Sequence, residues 1–343
     1  MFYNLVVKKI LFLFKPEFVH NLTIMVVKYS FLFPGVKILV NYIYKVENPK
    51  LHRDFFGLSF KNPIGLAAGF DKNANIFNEF ASFGFGFIEI GTVTPKPQEG
   101  QSKPRLFRLT KDNAIINRMG FNNDGVGAVV KRLRKKKTNI IIGGNIGKNK
   151  TTPNHLATND YLTCFDLIAP HVDYLVLNIS SPNTPKLRDL QNKQNLSALL
   201  SEIQKLNKKK YNKPVLIKIS PDLTLLQIDE IISLVNEFNI SGLIATNTTS
   251  TRNSLISSGD VISHIGAGGL SGKPLFLKSK KIISYIHKKS NGNIPIIAVG
   301  GIMSSKDAIE LLKSGASLIQ VYTGFVYKGP SLISEINKEL LNV

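Results

Sequence analysis

Pro295-Ile296-Ile297-Ala298-Val299-Gly300-Gly301 is a short apolar run that ends on two glycines. A helical pattern follows over 304–314, and then a second run of the same kind, Ser317-Leu318-Ile319-Gln320-Val321-Tyr322, ends on Thr323-Gly324. Strand, glycine turn, helix and strand make a parallel crossover unit, and near-continuous apolar runs belong to a sheet covered on both faces. Reading back toward the N-terminus, the unit recurs. Further runs lie at Ile64–Ala68, Phe87–Ile90, Ile140–Asn145, Tyr174–Ile179, Val215–Ile219 and Gly242–Thr246. Helical patterns lie near 73–83, 122–137, 158–169, 194–208, 224–237 and 275–289, with a last one at 331–341. Eight such units predict an α/β chain closed into a (β/α)8 TIM barrel, spanning 46–343; a doubly wound open sheet is the other arrangement the pattern allows.

Two gaps between runs hold extra structure. Leu106–Leu109 and Ala114–Asn117 flank Lys111-Asp112-Asn113 and predict a hairpin, and Leu51–Lys61 predicts another that closes the bottom of the barrel. The other long gap contains Gly268-Gly269-Leu270-Ser271-Gly272, which reads as a glycine-rich loop. The chain has 343 residues, 43% of them hydrophobic, so a large core is available. A single cysteine, Cys164, excludes a disulfide framework or a cysteine-rich metal site, and no H-x-x-x-H pair occurs, so no metal is expected. The formal charge of +21 raises nucleic acid or anionic membrane as partners. The densest clusters, Lys131–Lys137 and Lys208–Lys210, end helices, where cations complement the helix dipole. Helix C-termini lie at the face of a barrel opposite its chemistry, which argues against nucleic acid.

Residues 1–45 differ from the rest. Alanine is absent before Ala67, and Phe, Val, Leu, Ile and Tyr are interrupted by Lys8, Lys9, Lys15, Lys28 and Lys37. No uncharged stretch reaches the roughly 18 residues a spanning helix needs, and no A-x-A cleavage site suggests a secretory signal. Two apolar helices are predicted, about 2–14 and 17–32, split by Pro16 and ended by Pro34-Gly35. Phe2, Val6, Ile10, Leu13 and Phe14 fall at roughly helical spacing beside lysines, the pattern of a helix lying in a membrane interface. A helical hairpin packed on the barrel fits the same composition.

Barrel chemistry sits at the C-terminal ends of the strands. Those ends carry Asp71-Lys72, Thr92, Asn145, Asn178 with Ser181, Lys218, Thr246-Asn247, Gly300-Gly301 and Tyr322-Thr323. One such residue is ordinarily a turn residue. Eight in register suggest a polar ring that holds a planar, hydrogen-bonding cofactor. The glycines after the last two strands let backbone N–H groups approach a phosphate. No Ser–His–Asp set and no carboxylate pair emerges, which fits redox chemistry carried by a cofactor.

Several segments carry a more specific signal: Asn62-Pro63-Ile64-Gly65-Leu66-Ala67-Ala68-Gly69-Phe70-Asp71-Lys72, Gly91-Thr92-Val93-Thr94-Pro95, Asn117-Arg118-Met119-Gly120-Phe121-Asn122-Asn123 and Asn178-Ile179-Ser180-Ser181-Pro182-Asn183-Thr184-Pro185. Ala245-Thr246-Asn247-Thr248-Thr249 and Gly268–Gly272 follow in order. In these the chain resembles the class 2 dihydroorotate dehydrogenases, the quinone-reducing, membrane-associated class, over essentially its whole length. The resemblance implies oxidation of dihydroorotate to orotate in pyrimidine synthesis. Hydride would pass from C6 to FMN, one per chain, and then electrons to a membrane quinone. It implies Ser181 as the base for the C5 proton; cytosolic relatives have cysteine there. A serine hydroxyl is a weak base and no histidine stands ready to activate it, so the proton would have to leave along hydrogen bonds.

For the substrate, the resemblance implies Lys72, Asn117, Arg118, Met119, Gly120, Phe121, Asn178, Asn183, Asn247 and Thr248. Each amide can offer both a donor and an acceptor to a pyrimidine ring. For FMN it implies Ala68, Gly69, Phe70, Asp71, Lys72, Thr92, Asn145, Asn178, Lys218 and Thr246, with Gly272, Gly301, Tyr322 and Thr323 around the phosphate. Lys218 would stabilise the reduced ring near N1 and O2. The N-terminal helices would meet an anionic membrane surface, on the cytoplasmic side of a bacterial inner membrane, as a monomer. Rival readings are another FMN barrel oxidoreductase such as a 2-hydroxy-acid oxidase, a non-catalytic basic binding protein, and a cytosolic dihydroorotate dehydrogenase using fumarate or NAD. The first would need a histidine base and arginine clamps on the rim. The last would lack the apolar extension and carry cysteine in place of Ser181.

Overall fold

In the computed structural model, which describes residues 3–253 and 255–343, the predicted runs become strands. Along the chain these are β1 (Arg53–Phe55), β2 (Leu58–Phe60), β3 (Ile64–Leu66), β4 (Phe87–Val93), β5 (Leu106–Leu109), β6 (Ala114–Asn117) and β7 (Ile141–Ile146). They continue with β8 (Tyr174–Asn178), β9 (Val215–Ile219), β10 (Gly242–Ala245), β11 (Gly269–Gly272), β12 (Ile296–Val299) and β13 (Leu318–Val321). β3, β4, β7, β8, β9, β10, β12 and β13 pair in parallel and close on themselves, with β13 returning to β3 through Val321 opposite Leu66. The closed barrel replaces the open-sheet alternative.

Local sequence explains the helices outside it. Over Lys193–Lys210, Leu196, Leu199, Leu200 and Ile203 recur at helical spacing and are buried against the strands. Asn192 starts that helix by accepting a hydrogen bond from the Asn195 N–H. A Thr224–Gln227 capping box starts the helix Leu225–Glu237. Two helices are shorter than predicted. The 73–83 pattern yields only Phe77–Phe80 and a 3-10 turn, because the Asp71 carboxylate takes the N–H groups of Asn75 and Ile76 and holds the preceding loop. The 122–137 pattern yields Val126–Leu133, because Asn123 is spent on Thr94 and the Gly125 N–H.

The hairpin β1–β2 forms as predicted and plugs the barrel, with Phe55, Phe56, Leu58 and Phe60 against Phe87, Tyr174, Leu216 and Leu318. The hairpin β5–β6 also forms. Gly268–Gly272, read as a loop, instead supplies β11, an antiparallel third strand on β6. The free edge of β6 accepts it, and Leu270 fills a cluster with Leu109, Ala114, Ile116 and Ile265.

The predicted helix start at Phe2 lies outside the described residues. From Tyr3 the chain makes a π-turn to Val7 and a short helix, Lys8–Leu11, then the helix Pro16–Ser30. A third helix, Val36–Tyr44, was not predicted; Gly35 at φ 85° turns the chain into it where Pro34-Gly35 had been read as the end. Glu17 pairs with Arg105 (2.7 Å), and the Tyr3 hydroxyl donates to the Val326 carbonyl (2.7 Å), which pins the segment to the barrel. Its outer face exposes Leu13, Leu32, Phe33, Ile38, Leu39 and Tyr42. Among the described residues, no single helix is long and apolar enough to cross a membrane.

Gly143 lets the interior close: a Cβ there would fall 2.2 Å from Cζ of Tyr174, a fully buried side chain. Gly143→Ala should therefore destabilise the barrel by about 1–3 kcal/mol, read as a lowered urea midpoint. An unchanged midpoint would show that the ring moves aside freely.

Candidate active site

At the C-terminal ends of the barrel strands lies a cleft, open at its mouth, with a free volume of about 150 Å³. Its floor is polar. Asn145, wholly buried at the end of β7, donates Nδ2 to Glu89 Oε1 (2.7 Å) and accepts from Thr92 Oγ1 (2.6 Å). Thr92 accepts from Asn178 Nδ2 (2.7 Å), and Asn178 Oδ1 accepts from Asn247 Nδ2 (3.1 Å). On the other wall Asn183 Nδ2 donates to Asn117 Oδ1 (3.1 Å), which brings β6 to the loop after β8. Among the described residues no group of three or more His, Cys, Asp or Glu side chains could hold a metal.

Two lysines face this space. Lys218 is buried on β9, its Nζ 3.8 Å from Glu89 Oε1; burial pushes its pKa down and Glu89 opposes the shift. Lys72, partly exposed, is lowered to about 8 by desolvation first and by Arg105 second, with Glu17 opposing. Ser181 is buried on the loop after β8, and its Oγ accepts the Asn183 N–H (3.3 Å). No histidine or carboxylate hydrogen-bonds to Ser181 among the described residues.

That loop is clamped. Arg188 donates to the carbonyls of Ser180 (3.1 Å) and Thr248 (2.9 Å) and to Asp222 Oδ2 (2.9 Å), so the loops after β8, β9 and β10 share one guanidinium. Burial alone would raise the pKa of Asp222. Hydrogen bonds from Lys278, Thr249, Ser250 and Arg188 outweigh it and hold the carboxyl well below the usual range.

Of the residues expected in the site, the cleft gathers Ala68, Gly69, Lys72, Thr92, Asn117, Met119, Gly120, Phe121, Asn178, Ser181, Asn183, Lys218, Thr246, Asn247, Thr248, Gly272, Gly301, Tyr322 and Thr323. Four side chains are not brought to it. Arg118 is turned out, donating to the carbonyls of Pro104, Ile265 and Ala267 and lying over the Phe107 ring. The Asp71 carboxylate serves its own loop. Asn145 lies beneath the floor. Phe70 packs edge-on against Tyr322 and His20.

Phe70 borders a second cleft of about 360 Å³ between the barrel and the helix Pro16–Ser30, lined also by Glu17, His20, Ile24 and Met25. Lys72 and Met119 line both clefts. Burial first, then Lys72, push His20 down to about 3, so its imidazole is neutral. Sequence reasoning missed His20, Arg188 and Glu89. A carboxylate between Ile88 and Ile90 in an apolar run was the available signal for Glu89. Arg188 and His20 lie in ordinary helical or loop contexts that carry none.

The lining offers donors, acceptors and a cation. Gln320 Oε1, buried beside it, has no hydrogen-bond partner among the described residues. At the far end Ser271 and Thr323 hydroxyls (2.8 Å apart) lie among Gly272, Gly300, Gly301 and Gly324. Such a site fits a flavin, whose ring edge needs both donors and acceptors and whose tail is anionic. Fold and site together are those of a (β/α)8 barrel with an amide-rich cleft ending in glycine loops.

A sequence profile described as dihydroorotate dehydrogenase matches residues 50–343. The chain is 52% identical over 340 residues to the dihydroorotate dehydrogenase (quinone) of Christiangramia forsetii, covering 99% of this chain and 98% of that protein. It is 46% identical over 341 residues to a protein of that name from Shewanella sp. strain ANA-3, covering 98% of each. The crystal structure of DHODH from Eimeria tenella in complex with ferulenol superimposes with a TM-score of 0.87 at 38% identity, covering 95% of this chain and 91% of that one. The chain belongs to the dihydroorotate dehydrogenase family.

Proposed function

We propose that this chain oxidises dihydroorotate to orotate and delivers the electrons to a quinone, with the barrel cleft as the site of oxidation and the second cleft as the quinone's approach. The observation that carries the reading is the wall of Lys72 and Met119 shared by the two clefts. It puts an amide-rich pocket suited to a pyrimidine beside a pocket opening under apolar helices. The quinone-linked relatives match over the full chain, including those helices.

The cofactor is FMN, one per chain, which when bound accepts the hydride and carries the electrons onward. Ala68, Gly69, Thr92, Thr246 and Lys218 would hold its ring, and Gly272, Gly301, Tyr322 and Thr323 its phosphate. Asn117, Asn178, Asn183, Asn247 and Thr248 hold the substrate ring, and Lys72 meets its carboxylate. Ser181 Oγ takes the C5 proton. Arg188 keeps that hydroxyl in place through the Ser180 carbonyl and keeps Thr248 in register with it.

Residues 1–45 form a membrane-facing unit on a barrel of residues 46–343. The exposure of Leu13 (83%) and Tyr42 (87%), with lysines beside them, suits the interface of an anionic bilayer. The protein acts as a monomer on the cytoplasmic side of a bacterial inner membrane.

The direct test is anaerobic reduction of the bound flavin by dihydroorotate, followed by reoxidation with quinone, fumarate or NAD in turn. Removing residues 1–33 should leave the first half-reaction largely intact and cripple reoxidation by long-chain quinones; normal reoxidation would refute the approach route. Ser181→Ala should keep its flavin while flavin reduction slows by about 10²–10⁴-fold; a wild-type rate in stopped flow would remove Ser181 from the mechanism. Lys72 is charged below its pKa of about 8 and neutral above it. Accordingly kcat/KM for dihydroorotate should fall as pH rises through about 8, and Lys72→Ala should abolish that limb of the profile.

A further inference from the structure

Glu89 is completely buried in the middle of β4, and the reaction described above gives it no part. A carboxylate withdrawn from water is tolerated only when its lone pairs are met. Here Oε1 accepts from Asn145 Nδ2 (2.7 Å), Oε2 accepts from Gln320 Nε2 (2.5 Å), and the Lys218 ammonium stands 3.8 Å from Oε1.

These contacts also impose a direction. A carboxylate accepts and cannot donate, so Asn145 must turn its NH2 toward Glu89 and its oxygen away. That oxygen takes the Thr92 hydroxyl hydrogen, and Thr92, having spent it, can only accept, which it does from Asn178 Nδ2. Asn178 Oδ1 then receives one amide hydrogen of Asn247. The other goes to Ser180 Oγ (3.0 Å), whose own hydrogen is given to the Lys218 carbonyl (2.6 Å). From β10 to β4, every link donates toward Glu89. What remains for the cleft is thereby fixed. Asn247 has no free N–H, and its Oδ1 accepts only the Thr248 N–H (2.8 Å), leaving a lone pair for a ring N–H of the ligand. Asn178 keeps one N–H to donate.

We propose that Glu89 is a positioning residue that sets the donor–acceptor polarity of Asn178 toward the substrate ring, acting through Asn145 and Thr92. The ligand class it selects is a cyclic amide or imide that brings a carbonyl oxygen to the remaining Asn178 N–H. The inference rests on the dihydroorotate reading, and orotate serves as the probe. In Glu89→Gln the new amide can donate to Asn145 and release Asn145, Thr92 and Asn178 from their single direction, while the Thr248 N–H still holds Asn247.

The experiment is titration of the flavin-loaded protein with orotate, followed by the change in flavin absorbance. Glu89→Gln should retain flavin and bind orotate about 10-fold to 100-fold more weakly, the range expected when a buried polar group loses its partner. Thr92→Val, which removes the middle link and leaves the Glu89 side chain in place, should also lose about 10-fold, and Thr92→Ser should restore wild-type affinity. A purely structural role for position 92 would not separate valine from serine in orotate affinity at equal flavin content. Wild-type affinity in Glu89→Gln overturns the proposal. If that variant fails to fold, wild-type affinity in Thr92→Val overturns it. Failure of the unaltered protein to bind orotate would instead overturn the substrate reading.

Discussion

An eight-stranded parallel barrel has to fill its own interior, and in this one the filling changes character along the axis. Side chains two residues apart on a strand share a face. At the bottom the inward positions are Phe87, Gly143, Tyr174, Leu216 and Leu318, closed by the aromatic hairpin β1–β2. Two residues further up, Phe87 gives way to Glu89, Gly143 to Asn145, Leu216 to Lys218 and Leu318 to Gln320. A carboxylate and an ammonium group in that position leave their neighbours little freedom, since an unsatisfied partner would cost about 1–3 kcal/mol each. The active-site floor is therefore rigid because of what lies beneath it. Rigidity of this kind is what preorganised electrostatic catalysis requires.

Much of this architecture was legible in the residues. Repeated apolar runs with glycine or amide ends identify a barrel and its working face, and the motif segments identify most of the cleft lining. What escaped was whatever depended on partners distant in sequence. Gly269–Gly272 becomes a strand only because β6 offers an edge, and nothing within that segment advertises pairing with residues far upstream. Arg118 sits inside a motif segment, yet its guanidinium is drawn outward by three carbonyls. Arg188 is one basic residue among many in a chain of charge +21, and only the fold shows three loops meeting on it.

The N-terminal segment follows a different logic. None of its three helices contains a fully buried residue, so they are not held by a core of their own. They are attached by directed contacts, Glu17 on Arg105, Tyr3 on the Val326 carbonyl and Tyr44 stacked on Phe83 at 5.6 Å, and by Phe12, Ile24 and Val27 packed on the barrel's own core. Such a seat leaves the apolar faces outward and unspent.

The sheet β5–β6–β11 has a bearing on how this chain can change in length. Asn117 is the last residue of β6, paired with Leu106 on one side and Gly269 on the other. Because strand side chains alternate, a shift of one residue moves every one of them to the opposite face. A single inserted residue in the turn at Lys111–Asn113 that slipped the pairing would carry Asn117 away from Asn183 while leaving the turn itself well formed. Two strands, one on each side, tie the register, so a length change in that turn cannot be absorbed by one neighbour alone. Insertions and deletions that are harmless in most surface hairpins are therefore constrained here, in a turn that touches no substrate.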